Sequence, residues 1–316
     1  MTLIVAAAAP DIGFFVSDTL VTTLVHIKGN PTGPVNGEFH ALKVQILNSQ
    51  TAVAFATSNA VDTAVRLIAQ IQDALNADPE LKVPDRLFEA YKQTIETTGE
   101  LESPDCEFLV LTLSSDGKKL ARISSEAITY PERAYIGDAN EYKKLMELRR
   151  PYVPPQTQHV QQPDGTFKTV PLVVSANEIE FQEISFAMEA LANQRLSQSV
   201  GAIAGCIIRV VDAKISKQIE YLQSGEADVS LEEGQSGFSV LASNTGTRGI
   251  GIYYRSGTIG FIMMVGDLEL CRVEKATNIQ NFIETAMGAV REVVGIGRGA
   301  FSGNMKVSFQ AARSIG

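Results

Sequence analysis

Residues 3–9, LIVAAAA, and 13–18, GFFVSD, are two short runs with almost no polar side chain on either face, parted by the turn signal PDIG. A strand sends successive side chains to opposite faces, so a run that is apolar at every position needs cover on both. The pair predicts a hairpin buried on both faces, and such a hairpin cannot exist without layers above and below it.

The rest of the chain supplies those layers. The Gly/Pro/Asn-rich KGNPTGPVNGE at 28–38 predicts a loop, and two strands, ALKVQIL and TAVAFAT, follow on either side of NSQ. The period then changes from two to 3.6. Val61, Val65, Ile68, Ile71 and Leu75 fall on one helical face. A second helix starts at Pro84 and Asp85 and aligns Leu87, Phe88, Tyr91 and Ile95. Strands CEFLVLTL and KKLARIS are joined by SSDG, and RAYIGD runs into the helix ANEYKKLMELRR. The proline- and glutamine-rich stretch 151–172 reads as a surface excursion holding a hairpin. A helix resumes at Asn177 with Ile179, Ile184, Met188 and Leu191 among its apolar positions. Residues 199–222 fit two readings: GCIIRVV suits a strand, yet Ile207, Val211, Ile215, Ile219 and Leu222 keep helical spacing. Strands GFSVLAS, GIGIYY and TIGFIMMVG come next, then the helix NIQNFIETAMGAVREVV. GIGRGAFSG at 295–303 follows a helix and lacks the Lys-Ser/Thr pair of a phosphate loop, so it predicts a flexible C-terminal segment. Strands, two helices, strands, helices and strands again suit stacked sheets covered by helices, an α+β sandwich, without the strict alternation of a doubly wound fold. The expected organisation is one domain over 1–300, with an insertion at about 151–175 and a tail at 301–316.

Charge and cysteine usage narrow the function. The 27 basic and 36 acidic side chains give a formal −9, the wrong sign for a nucleic-acid or anionic-membrane binder. LIVAAAAP is broken too early by Pro10 and Asp11 for a signal peptide, and no run approaches the roughly 20 apolar residues of a membrane helix. Cys106, Cys206 and Cys271 are scattered, as are His26, His40 and His159. No metal or other cofactor is expected, and the location expected is the cytoplasm. His40, close before Lys43, reads as a structural histidine at a strand entrance, and Cys106 and Cys206 read as core.

Thr2 stands directly behind Met1, and its small side chain permits removal of that methionine. One residue then carries a hydroxyl nucleophile and an α-amine that titrates near about 8 and can take the hydroxyl proton. Such a site needs a cation to depress the amine's pKa, a carboxylate to hold the cation, and N–H donors for the oxyanion. Asp18 ends the second strand sixteen residues after Thr2, and Lys43 lies in the third strand. Asp18 and Lys43 also admit a plainer reading, a buried ion pair kept for its geometry.

The ordered set Thr2, Asp18, Lys43, SNAVDTAVRLI and AYIGDANEYKKL resembles the proteasome β-subunit family and the related proteolytic subunit of the bacterial two-component ATP-dependent protease, both N-terminal-nucleophile hydrolases. The resemblance covers roughly residues 2–150. It implies a four-layer αββα sandwich with the excursion near 151–172 inserted. It also implies a threonine-type peptidase or amidase in which Thr2 attacks, Lys43 lowers the amine's pKa, Asp18 orients Lys43, and the N–H groups near Thr57 and Ser58 hold the oxyanion. Self-association into rings, a peptide or unfolded-protein substrate, and an ATP-dependent unfoldase as partner are further implications. The chain departs from the family in its longer loop before Lys43, in having no match within 175–205 for the family's later aspartate and serine, in the excursion 151–172, and at two site positions. Thr57–Ser58 stand where the family has a glycine, and Asp138 stands where it has a serine. Asp138 is thus a candidate acid near the amine, although GDANE is also a good helix-cap sequence. These departures motivate an alternative, an inactive proteasome-like structural or binding protein that forms homo-oligomeric rings; a small-molecule N-terminal-nucleophile amidase is a third reading.

Overall fold

The computed structural model describes residues 2–20, 26–27, 30–31, 42–58, 60–98, 104–162, 165–193, 197, 199–201, 207–213, 217–225, 236–242, 249–254, 259–264, 272–275, 295–300 and 307–310. The elements run β1 (Leu3–Ala8), β2 (Gly13–Ser17), β3 (His26–Ile27), β4 (Asn30–Pro31), β5 (Val44–Asn48), β6 (Thr51–Thr57), α1 (Val61–Ala77), α2 (Val83–Thr98), β7 (Cys106–Ser114), β8 (Gly117–Ile123), β9 (Ile128–Thr129), β10 (Arg133–Gly137) and α3 (Ala139–Leu148). They continue with β11 (Thr157–Gln161), β12 (Phe167–Pro171), α4 (Ala176–Asn193), β13 (Ile207–Ala213), β14 (Gln218–Gly225), β15 (Ser236–Ala242), β16 (Gly249–Tyr254), β17 (Ile259–Met264), β18 (Arg272–Lys275), β19 (Gly295–Ala300) and β20 (Val307–Gln310). The chain is α+β. A six-stranded sheet has the order β10-β1-β2-β13-β14-β20, one five-stranded sheet the order β5-β6-β7-β8-β9, and another β18-β17-β16-β15-β19.

The two-sided hairpin forms as expected, with every residue of β1 and β2 buried. Alternate side chains separate cleanly. Leu3, Val5, Ala7, Phe14 and Val16 join Leu145 of α3 and Phe181, Ile184, Met188 and Leu191 of α4 in one cluster. Ile4, Ala6, Ala8 and Phe15 join the apolar residues of β5–β8 and the inner faces of α1 and α2 in the other. β13 divides in the same way, Ile207 and Val211 to the first cluster and Ile208 and Val210 to the second. Phe14 and Phe15 are both fully buried on opposite faces, and burying a side chain of that size stabilises by about 1.5–3 kcal/mol.

Two ion pairs bridge the six-stranded sheet and the five-stranded sheet of β5–β9, one at each end. Asp18, following β2, meets Lys43, preceding β5, at 2.7 Å. At the far end Asp212 of β13 meets Lys118 of β8 at 2.9 Å and accepts the N–H of Gly13 at 2.6 Å. Burial raises the Asp212 carboxyl above its ordinary value, against the opposing pull of the Gly13 N–H and Lys118.

Several elements differ from the sequence reading. The buried face of α1 consists of Ala64, Leu67, Ile68, Ile71, Gln72 and Leu75, with Val61 and Val65 at its margin. The small Ala64 lets the helix approach the sheet, and Gln72 is admitted because its Nε2 donates to Leu47 O at 3.0 Å. Residues 207–213 and 218–225 are an antiparallel strand pair and not a helix, because β13 also completes the ladder on β2. The segment expected to be flexible, 295–303, supplies β19, which pairs with β15; a glycine-rich strand is held through its backbone and carries no apolar alternation to betray it. β20, within the expected tail, pairs with β14. In the 28–38 loop, Asn30–Pro31 pair with His26–Ile27. As expected, the excursion holds the hairpin β11–β12, and Phe167 on it and Val173 just after it are exposed. α4 opens on a reciprocal cap, with Ser175 Oγ accepting from Glu178 N and Glu178 Oε2 accepting from Ser175 N. The helix expected at 278–294 and the residues Met1, His40, Cys206 and Cys271 lie outside the described residues.

No helix among the described residues is long and apolar enough to cross a membrane.

β10 joins β1 at a point only glycine can occupy. Gly137 has φ +98°, and a Cβ there would lie 1.8 Å from Thr2 O. Gly137→Ala is expected to lower unfolding stability by about 3 kcal/mol or more in a urea titration; an unchanged midpoint would refute the close approach.

Candidate active site

The candidate residues collect at one end of the two bridged sheets because the strands run antiparallel. β2 returns to the start of β1, with Ser17 opposite Ile4, so Asp18 arrives beside Thr2 and Leu3. Lys43 stands just before β5, and its carbonyl accepts the N–H of Phe55 at 3.1 Å. That pairing brings Thr57 and Ser58, at the end of β6, to the same rim.

Asp18 is fully buried and Lys43 is 2% exposed. Lys43 Nζ donates to Asp18 Oδ1 at 2.7 Å and to Leu20 O at 2.5 Å. The same Oδ1 accepts the N–H of Leu3 at 3.3 Å. Asp18 Oδ2 accepts from Leu20 N at 3.2 Å and Gly201 N at 3.3 Å. Gly201 O in turn accepts the N–H groups of Thr19 and Leu20 at 2.9 and 3.1 Å. The carboxylate is thereby fixed by three main-chain donors and the ammonium. One of its oxygens is shared between Lys43 and the peptide that directly follows Thr2.

Thr2 is 7% exposed and is held from its other side. Its carbonyl accepts the N–H of Asp138 at 2.9 Å. Gly137 N–H turns away and donates to Glu107 Oε2 at 3.3 Å, while Glu107 Oε1 takes Arg122 Nη2. The Asp138 carboxylate caps α3, accepting from Asn140 N at 2.8 Å and Glu141 N at 3.3 Å. Its structural role as a helix cap is thus in place.

Thr57 and Ser58 turn the chain from β6 into α1. Thr57 Oγ1 accepts the N–H of Ala60 at 2.9 Å, and Ser58 Oγ donates to Asp105 Oδ2 at 2.9 Å. Both hydroxyls therefore shape the turn.

Burial acts against both charges of the central pair. It pulls the Lys43 ammonium below the usual lysine value, opposed by the Asp18 charge. It raises the Asp18 carboxyl above the usual carboxylate range, opposed by Lys43 and by the N–H groups of Leu3 and Gly201.

The sequence reading passed over Glu107, Asp105 and Gly201. Glu107 carried a signal, a charge inside the apolar run CEFLVLTL. Gly201 carried none, since its contribution is a main-chain N–H brought 183 residues along the chain to Asp18. Among the described residues no group of His, Cys, Asp or Glu is arranged to hold a metal ion.

Lys43→Met leaves the Asp18 carboxylate buried without its cation, and a loss of about 3–5 kcal/mol at pH 7 is expected. In that variant the Asp18 pKa is raised in the folded chain above its unfolded value, so the native state binds more protons. Its stability therefore falls as pH rises from the ordinary carboxylate value, about 4, through the raised one. Urea unfolding at pH 5 and pH 7 measures this, and Asp18→Asn combined with Lys43→Met is expected to recover most of the loss; no recovery would mean the pair is not the cause.

No protein-family model matches the chain, and no curated protein sequence matches it significantly.

Proposed function

We propose that the chain is a threonine-type peptidase or amidase of the N-terminal-nucleophile class, active once Met1 has been removed. The observation that carries this reading is the shared oxygen of Asp18, which receives both Lys43 Nζ and the N–H of Leu3. It puts a buried ion pair against the residue that would carry both nucleophile and base.

In the proposed reaction Thr2 Oγ adds to the substrate carbonyl while the Thr2 α-amine takes the hydroxyl proton. The α-ammonium returns that proton to the leaving amine as the amide C–N bond breaks, leaving an ester on Thr2. Water, deprotonated by the same amine, then cleaves the ester and releases the acid. Lys43 keeps the amine neutral, Asp18 orients Lys43, and N–H groups of the Thr57–Ser58 turn receive the oxyanion.

The finer architecture proposed is a four-layer αββα sandwich. It is supported by the division of β1 and β2 side chains between a cluster with α3 and α4 and a cluster with β5–β8, α1 and α2. Ring self-association, a peptide or unfolded-protein substrate, an unfoldase partner and a cytoplasmic location are proposals that rest on the resemblance alone. The alternative, an inactive protein of the same architecture, draws on the burial of Thr2 and on the Cβ atoms at Thr57 and Ser58.

Intact-mass measurement and cleavage of a fluorogenic peptide test the proposal. The expected mass lacks one methionine, and Thr2→Ala is expected to reduce kcat by about 10³-fold or more. A Thr2→Ala variant as fast as wild type, or a chain that retains methionine, would eliminate Thr2 as nucleophile.

A further inference from the structure

We infer that Tyr91 is a positioning residue, whose hydroxyl reaches from α2 through the start of β7 to hold the Thr57–Ser58 turn. Its effect on catalysis rests on the function proposed above; its mechanical coupling to the turn does not.

Tyr91 is 1% exposed, its ring edge-on to Phe108 with centroids 5.6 Å apart. The hydroxyl is used in both directions. It accepts the N–H of Cys106 at 2.9 Å and donates to Pro104 O at 2.7 Å. Burial pushes the phenol pKa up to about 12, so the donating proton stays in place across the working range.

The two partners flank Asp105, and Asp105 and Cys106 lie against the turn. Cys106 is the cross-strand partner of Thr57, and its Sγ lies 3.8 Å from Ala60 O. The Asp105 carboxylate receives the Ser58 hydroxyl. The N-cap of α1, Ala60, has no side-chain cap of its own. The placement of Thr57, Ser58 and Ala60 is therefore set by Thr57 Oγ1 and by their attachment to Asp105 and Cys106. Tyr91 fixes that strand start to α2. A buried tyrosine kept only for its bulk would not need a hydroxyl bonded to two main-chain groups at this rim, and phenylalanine would fill the same space.

Hydrogen exchange on the Tyr91→Phe protein tests the coupling without any substrate. Amides of 57–61 are expected to exchange about tenfold faster, the scale of one lost hydrogen bond, while those of α4 stay as in wild type. Unchanged exchange at 57–61 overturns the inference. So does a Tyr91→Phe chain that fails to fold, because the hydroxyl would then support the core at large. Asp105→Ala, which removes the Ser58 attachment and keeps the Tyr91 hydroxyl, is expected to speed the same amides; if it does not, residues 104–106 do not hold the turn and the inference falls. With peptide substrate, Tyr91→Phe is expected to lower kcat about tenfold with KM within about twofold. A lowered Tm with kcat intact at 25 °C marks a structural tyrosine and overturns the catalytic part. If wild type cleaves no peptide, the proposed function fails, and exchange still decides the coupling.

Discussion

Asp18 and Lys43 tie the two bridged sheets together at the rim where the chain begins, and most of the local geometry depends on that contact. A carboxylate with no solvent exposure is tolerable only when its oxygens are fully engaged. Here Leu3, Leu20, Gly201 and Lys43 supply the donors. Satisfying one charge thus draws the starts of β1 and β5, the end of β2 and the segment around Gly201 to a single point.

The hairpin makes this arrangement possible. Because β1 and β2 are apolar on both faces, polar groups of this pair can sit only at its ends. Asp18 lies at one end, and the N–H of Gly13, taken by Asp212, lies at the other. The Lys118–Asp212 pair bridges the same two sheets remotely from the first. Two separated ionic links also fix the relative alignment of the sheets, which apolar packing, lacking directionality, specifies weakly.

At the same rim, polar side chains are spent on the turns that lead into helices. The Thr57 and Ser58 hydroxyls bond Ala60 N and Asp105, and the Asp138 carboxylate bonds the first amides of α3. Each of these side chains shapes a turn that leads into a helix. Thr2 itself is held by main-chain contact at its carbonyl, beside a glycine that leaves no room for a Cβ.

The sequence by itself determined the α+β class, the doubly buried hairpin, and the order of most described elements, since these follow from period and from turn residues within a few positions of each other. It also singled out Asp18 and Lys43, as the carboxylate ending the second strand sixteen residues after Thr2 and the lysine of the third strand. Only the tertiary structure decided what lies beyond such short range. Residues 207–213 are a strand because β2 offers them a ladder, although their apolar spacing also fits a helix. β19 forms because β15 pairs with its glycine-rich backbone. Gly201 reaches Asp18, and Tyr91 reaches Cys106, through a main-chain N–H group, which every residue except proline possesses and which no side-chain pattern can announce.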